Sequence, residues 1–277
     1  MRPAVEAAGH WGDNLFNTPL IAALSRHYGV PVDVATLPDY RDAFENLPFV
    51  GQIFDMSDKR QLSLVEEVSL LGSGVRHWKQ RGNGPVYPIT QFSTHELFLD
   101  REGDPPGLFG IPTAIGRQLG LPEFDPRPIL NFTVDERKAS EAIPEGTVAV
   151  ETGFLFQQSW VWNEVWQYLL EEIKNRPVLC LSREAPINGF LRLDLTRREL
   201  LCGLHRCHAF VTTGSGFFCG SIGVQYRGPV LGLLRPGRAT LETVAVQQRQ
   251  WLNAEWCYDF SEFKTALQRL KAQLGES

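Results

Sequence analysis

The sequence predicts an α/β protein made of two parallel-sheet halves, and three observations carry that prediction. Short apolar runs alternate with helix-capped stretches, the order that covers a parallel sheet on both faces. The alternation restarts after Thr147, so the plan occurs twice. At 277 residues the chain is long enough for each half to bury its own core.

The first half reads β-α-β-α-β. An apolar run close to Met1 supplies a first strand, and Gly12-Asp13 lies in the turn that follows it. Thr18 and Pro19 read as the N-cap and first residue of a helix that Gly29 ends. Residues 30–36 make the next strand, 39–46 a short helix, and Pro48-Phe49-Val50 leads into a strand at 52–55. Residues 72–112 are rich in Gly, Pro and aromatics without periodicity, which reads as loop with short elements. The polar, charged stretch 135–146 reads as a linker, dividing the chain into domains 1–138 and 146–277.

The second half repeats the pattern. Residues 147–152 form a strand, 159–174 a helix and 177–182 a strand. Thr196-Arg197-Arg198-Glu199 is a capping box opening a helix to about residue 206. A strand at 208–213 ends in Gly214-Ser215-Gly216, and a helix and a strand at 229–234 follow. Ser261 caps a last helix at 262–274, which is free to pack back on the first domain.

Composition narrows the class. The chain is 43% hydrophobic and 21% charged, as water-exposed globular proteins are, and no apolar stretch is long enough to span a bilayer. Its net charge of −5 gives no general affinity for nucleic acid, which leaves only local basic patches. Glu6 interrupts the place where a signal peptide needs its apolar centre, and five scattered cysteines fit a reducing compartment. The expectation is a cytoplasmic protein.

Several residues are candidates for chemistry. Asp13 places a carboxylate in a loop at a strand's carboxyl end, either as a turn-former or as a group facing a ligand. In Gly214-Ser215-Gly216, glycines let backbone N–H groups approach a phosphate and the following helix offers its positive end; Thr212, Thr213 and Ser215 add hydroxyls. The same turn also suits simple strand-to-helix geometry, and its glycine spacing admits a nicotinamide cofactor as a minor alternative. Arg183 and Glu184 stand at another strand end, suited to nucleotide contacts or to a surface pair. Arg76, Trp78, Lys79 and Arg81 form a basic run interrupted by an aromatic, read as an exposed loop that grips phosphates and stacks on a sugar or base, or as a solvated charge run. Cys202, His205, Cys207 and His208 lack the paired spacing of a zinc site and read as core, so no metal is expected. Trp160, Trp162 and Trp166 read chiefly as helix packing.

The string Gly12-Asp13-x-x-x-x-Thr18-Pro19-x-x-x-x-Leu24 resembles the opening of the heptosyltransferase family, the ADP-heptose:lipopolysaccharide glycosyltransferases. Leu47-Pro48-Phe49-Val50, His95, the segment 116–122, the strand and Trp-rich helix after Val148, and the stretch 211–223 are similar to further parts of that family. The resemblance implies the GT-B fold, two Rossmann-like parallel-sheet domains facing a cleft, with the acceptor on the first and a nucleotide-diphosphate sugar as co-substrate on the second. It implies an inverting, metal-independent sugar transfer with no cofactor and Asp13 as catalytic base. Thr212, Thr213, Gly214, Ser215, Gly216 and Arg183 would bind the donor; Arg76, Trp78, Lys79 and Arg81 would bind the acceptor. The family default acceptor is a phosphorylated envelope glycan or lipopolysaccharide core, and the basic run leaves open a hydroxymethylated base in phage DNA. Gly214 stands where the family has Asp, Cys219 where it has His, and the family's Lys before the Trp of 159–162 is missing. Those departures keep a catalytically inactive nucleotide-sugar-binding protein as the alternative of another class.

Overall fold

In the computed structural model the chain divides into two units, Met1–Asn131 and Phe132–Ser277. The structure describes residues 2–7, 9–57, 65–69, 76–80, 84–88, 116–117, 119–152, 163–182, 187–214, 216–233 and 251–275. The expectations for His95, Gly153, Trp160, Trp162, Arg183, Glu184, Ser215 and Arg81 lie outside the described residues.

The first unit is built on a six-stranded sheet. Its strands are β1 (Ala4–Ala7), β2 (Val32–Thr36), β3 (Val50–Asp55), β4 (Val65–Ser69), β5 (Arg76–Gln80) and β6 (Gly84–Pro88), in the order β3-β2-β1-β6-β5-β4. Strands β3, β2, β1 and β6 run parallel, whereas β6, β5 and β4 pair antiparallel. Helix α1 (Trp11–Tyr28) packs on β1, β2 and β3; Leu15, Phe16, Leu20, Ile21 and Leu24 of the helix and Val5, Val32 and Val34 of the strands are all buried. A 3-10 helix, Pro38–Ala43, follows β2.

Three sequence expectations for this unit are corrected. Helix α1 begins at Trp11 with His10 as its N-cap, so Thr18 and Pro19 lie inside it. Proline has no N–H for the carbonyl of Leu15, and the Thr18 hydroxyl donates to that carbonyl instead, at 2.7 Å. The same oxygen accepts the N–H of Ile129 at 2.8 Å, so Thr18 also anchors the end of the unit. The second correction concerns the basic run within residues 72–112: the short elements of that stretch are β5 and β6, with β4 before them, and the run begins in β5. Arg76, Trp78 and Lys79 therefore stand in a strand paired on both sides rather than in an exposed loop. Thirdly, the expected strand at 30–36 starts two residues later, at Val32.

The second unit has a five-stranded sheet, all parallel, of β7 (Val148–Val150), β8 (Val178–Cys180), β9 (Ala209–Thr212), β10 (Pro229–Leu233) and β11 (Asn253–Cys257). Their order is β11-β10-β9-β7-β8, a doubly wound arrangement. Its helices are α2 (Val134–Ser140), α3 (Asn163–Glu172), α4 (Arg197–Cys202), α5 (Gly216–Gly223) and α6 (Phe260–Leu274). Trp166 and Leu169 of α3 and Phe263, Ala266, Leu267 and Leu270 of α6 close one core with Val148, Val150, Val211, Leu231 and Leu233. The last helix thus buries its apolar side in its own unit. Asp259, not Ser261, caps it by accepting the Glu262 N–H at 2.8 Å.

The supposed linker opens on a helix. Thr133 and Glu136 form a reciprocal capping box around the first turn of α2. Arg198 of α4, only 3% exposed, then binds Glu136 through two nitrogens at 2.5 and 3.2 Å and lies over the Phe132 ring at 5.2 Å. The capping box expected at Thr196 and Glu199 is present.

Strand β10 carries a glycine for a packing reason. Gly232 pairs in register with Trp256 of β11, and a Cβ on it would lie 2.0 Å from two atoms of the indole. That ring meets Phe218 of α5 edge-on at 5.2 Å and has no flexible end to move aside. Gly232→Ala is expected to destabilise the second unit by about 2 kcal/mol through overpacking, read as a lower urea midpoint at unchanged slope. An unchanged midpoint would show that the indole repacks without cost.

Candidate functional site

In doubly wound sheets, ligands sit outside the carboxyl ends of the strands where the strand order reverses. The first sheet reverses at β1, flanked by β2 and β6; the second reverses at β7, flanked by β8 and β9. Each unit is built up from there on its own.

In the first unit, β1 runs out through Gly9 and His10 into α1, and Asp13 is the third residue of that helix. It occupies the first turn of the helix rather than a loop, but still follows the exit of β1 closely. Its Oδ2 accepts the backbone N–H of His10 at 2.9 Å, so the carboxylate caps the helix it belongs to. The His10 ring meets Tyr40 edge-on and shares a hydrogen bond of 2.9 Å between Nδ1 and Oη. Behind them Asn14, fully buried, donates to the carbonyl of Gly9 at 3.1 Å and to Thr36 at 3.2 Å, and Thr36 donates to the Ala7 carbonyl. This chain of bonds ties the exits of β1 and β2 to the start of α1 and holds Asp13 on a rigid base. Glu6 adds a second carboxylate on β1, and burial pushes it above the ordinary carboxylate range. Asp13, His10 and Tyr40 thus form one polar cluster at the reversal point. The sequence pointed to Asp13 alone. His10 and Tyr40 are joined through the pairing of β1 with β2, which no local motif shows.

In the second unit, the reversal point gathers Thr212, Thr213 and Gly214 at the exit of β9 and Glu151 at the exit of β7. Gly214 has φ +80, a left-handed turn that a side chain would strain, and it sets the angle between β9 and α5. Its N–H donates to Thr212 Oγ1 at 2.9 Å. Thr212 is fully buried and gives its own proton to Glu151 Oε2 at 2.5 Å. The Thr212 hydroxyl, read as a donor to a ligand, here gives its hydrogen bond to Glu151 and accepts one from the Gly214 N–H. Glu151, 1% exposed, accepts a second bond at Oε1 from the Phe217 N–H in the first turn of α5, at 2.8 Å. Sequence reasoning passed over Glu151, although an acid closing an apolar strand just before Thr152-Gly153 was a visible signal.

The remaining candidates separate. Arg76, Trp78 and Lys79 lie along β5, two strands away from β1. Cys202 and Cys207 are buried, and burial pushes the Cys207 thiol up to about 12. His205 bonds the Cys202 carbonyl at 2.7 Å, and His208 meets Arg176 at 2.8 Å. Among the described residues no group of three or more His, Cys, Asp or Glu is placed to hold a metal ion. No helix among them is long and apolar enough to cross a membrane.

Comparison of the whole chain with solved structures then decides the fold family. Glycosyl transferase family 9 from Veillonella parvula superposes with a TM-score of 0.61 over 98% of this chain and 89% of that one, at 10% identity. The E. coli ADP-heptose heptosyltransferase II superposes with a TM-score of 0.62 over 99% and 98%, at 16% identity. The fold is that of the heptosyltransferases. The E. coli heptosyltransferase WaaC with ADP matches equally fully, with a TM-score of 0.60 over 99% of each chain at 11% identity. No protein-family model matches the sequence, and no curated protein matches it. The likeness is one of fold, at 10–16% sequence identity.

Proposed function

We propose that the protein is a glycosyltransferase that moves a sugar from a nucleotide-diphosphate donor to an acceptor hydroxyl with inversion. The observation that carries this reading is the position of Asp13 at the reversal point of the first sheet, in a chain with the heptosyltransferase fold. In the reaction, the acceptor oxygen attacks the anomeric carbon and gives its proton to the Asp13 carboxylate. The bond from that carbon to the diphosphate breaks, and the electron pair leaves with the diphosphate. Thr213, Gly214, Ser215, Gly216 and Arg183 would hold the donor on the second unit, and Thr212 would shape that loop from beneath. Arg76, Trp78, Lys79 and Arg81 would meet a phosphorylated acceptor on the first. An envelope glycan or lipid core is the acceptor this favours, with a hydroxymethylated DNA base as the other phosphate-rich candidate. The replacement of family residues by Gly214 and Cys219 supports one competing reading, a protein that binds a nucleotide sugar without turning it over.

The test starts with thermal stabilisation by a panel of nucleotide-diphosphate sugars, each with its free nucleoside diphosphate. At least one sugar nucleotide is expected to raise the melting temperature, and to release its nucleoside diphosphate when phosphorylated core oligosaccharides or hydroxymethylated duplex DNA are added. Stabilisation without release from any acceptor would favour the binding protein. A panel without stabilisation would remove the donor reading.

A further inference from the structure

The carboxylate of Asp13 folds back over the residues that lead into its own helix, and that position needs an open space. Gly9 provides it. A Cβ on Gly9 would lie 2.6 Å from the Cβ of Asp13, 3.2 Å from its Oδ2 and 3.4 Å from its Cγ, so its three nearest atoms all belong to Asp13. The φ of Gly9 is not positive, so the backbone would accept alanine and the objection comes from Asp13. The Asp13 Cβ belongs to the first turn of α1 and cannot swing aside as the end of a long side chain does. The facing segment is pinned as well. Asn14 donates to the Gly9 carbonyl at 3.1 Å, and the His10 ring shares its 2.9 Å hydrogen bond with the Tyr40 hydroxyl. A methyl group at position 9 would part this segment from the first turn and lengthen the 2.9 Å bond from the His10 N–H to Asp13 Oδ2. A bond to an ionised carboxylate fixes where it points, and a reacting group displaced by about 1 Å loses much of its rate.

We propose that Gly9 is a positioning residue for the base: its missing side chain admits the Asp13 carboxylate to the His10 N–H, which holds it in its working orientation. This rests on the reading of Asp13 as the base and adds to it the residue through which the chain sets that base. A glycine needed only for packing would affect stability alone.

A double-mutant cycle on the full-length protein separates the two roles. Asn has the shape of Asp, so Gly9→Ala makes the same clash in the Asp13→Asn background, where no base remains to be displaced. Nucleoside diphosphate release is followed with ADP-glucose, UDP-glucose and GDP-mannose as probe donors and phosphorylated core oligosaccharide as acceptor. In the wild-type background Gly9→Ala is expected to lower kcat about tenfold or more and to leave the donor KM within about twofold. In Asp13→Asn the same change is expected to cost less than about twofold in kcat, with an equal loss of melting temperature in both backgrounds. The second readout needs no substrate. The protein has six histidines, and 15N-histidine labelling isolates the His10 amide, assigned by its loss in His10→Gln. Its hydrogen exchange is expected to quicken about tenfold or more in Gly9→Ala and in Asp13→Ala, and no further in the pair combined. Wild-type kcat in Gly9→Ala, an equal kcat loss in both backgrounds, or unchanged His10 exchange would each overturn the proposal. If none of the probe donors turns over, the exchange decides. If Gly9→Ala does not fold, Gly9→Ala with Asp13→Gly empties the far side of the contact and is expected to fold; failure there overturns the assignment of the space to Asp13. Wild-type turnover in Asp13→Asn alone would remove the base reading and this inference together, whereas the other outcomes concern Gly9 only.

Discussion

Asp13→Asn is expected to keep the fold and donor binding while lowering turnover by about a hundredfold or more, the usual scale for losing a general base. The structure makes this a clean substitution. Asp13 also accepts the His10 N–H at the head of α1, and the Asn carbonyl oxygen can accept it equally well. Asp13→Ala is the informative contrast, because it removes the cap together with the base and should cost about 1 kcal/mol of stability besides. The measurement is the rate of nucleoside diphosphate release at saturating donor, paired with the melting temperature of each variant. Wild-type turnover in Asp13→Asn would remove the base role from Asp13 and direct attention to Glu6, the other carboxylate on the strand leading to it.

The largest effect on stability is expected at Arg198→Ala, at about 1.5–3 kcal/mol, because the substitution removes a buried guanidinium and leaves half-buried Glu136 without its charged partner. Glu136 is a case of opposed causes. Burial alone would raise its carboxyl, but the bond from Arg198, the bonds from Thr133 and the charge of Arg198 together hold it below the ordinary carboxylate range. A carboxyl lowered in the folded state contributes stability that is complete above its unfolded pKa and is lost as pH falls through its folded one. The wild type should therefore lose stability in its second unit on acidification through and below the usual carboxylate range. Glu136→Gln combined with Arg198→Met removes both charges and should flatten that dependence. Urea unfolding followed by hydrogen exchange of second-unit amides, repeated down the acid range, checks both statements. Equal stability of Arg198→Ala and wild type at neutral pH would show that water reaches Glu136 and replaces the guanidinium.

Local signals were legible in the sequence, and pairing between distant segments was not. Thr196 and Glu199 form their capping box from residues three apart, so the start of α4 can be read within four residues. Thr133 and Glu136 carry the same signal, but the charged stretch behind them reads as solvent-facing until Arg198 is known to cover it. Strand β5 has the opposite difficulty. Arg76-His77-Trp78-Lys79-Gln80 shows no apolar alternation, and its extended backbone comes from β4 and β6 on either side. Within α1, Thr18-Pro19 has the local form of a helix start, and only the bond to the Leu15 carbonyl reveals its different use. The site followed the same rule. Asp13, the proposed base, stands in a motif readable along the chain, whereas Glu151 meets Thr212 across 61 residues.

The hydroxyl of Thr18 has a consequence for how the chain is made. It receives the N–H of Ile129 across 111 residues, and β1 finds β6 only after Pro88 has been synthesised. The amino-terminal unit therefore opens with a helix whose proline gap is bridged early but whose anchor arrives last. Contacts that distant slow folding, because a long loop must close before any bond rewards it. On the ribosome, β1 and α1 must wait, partly assembled, for the residues near 129 to emerge. The carboxyl-terminal unit also closes over long separations, Arg176 to the Leu274 carbonyl and Lys271 to Glu172, but there the late element α6 docks on parts that already exist. The half that carries the proposed base is thus translated before its anchor exists, so its apolar helix waits for the residues near 129 and is open to premature association until they emerge.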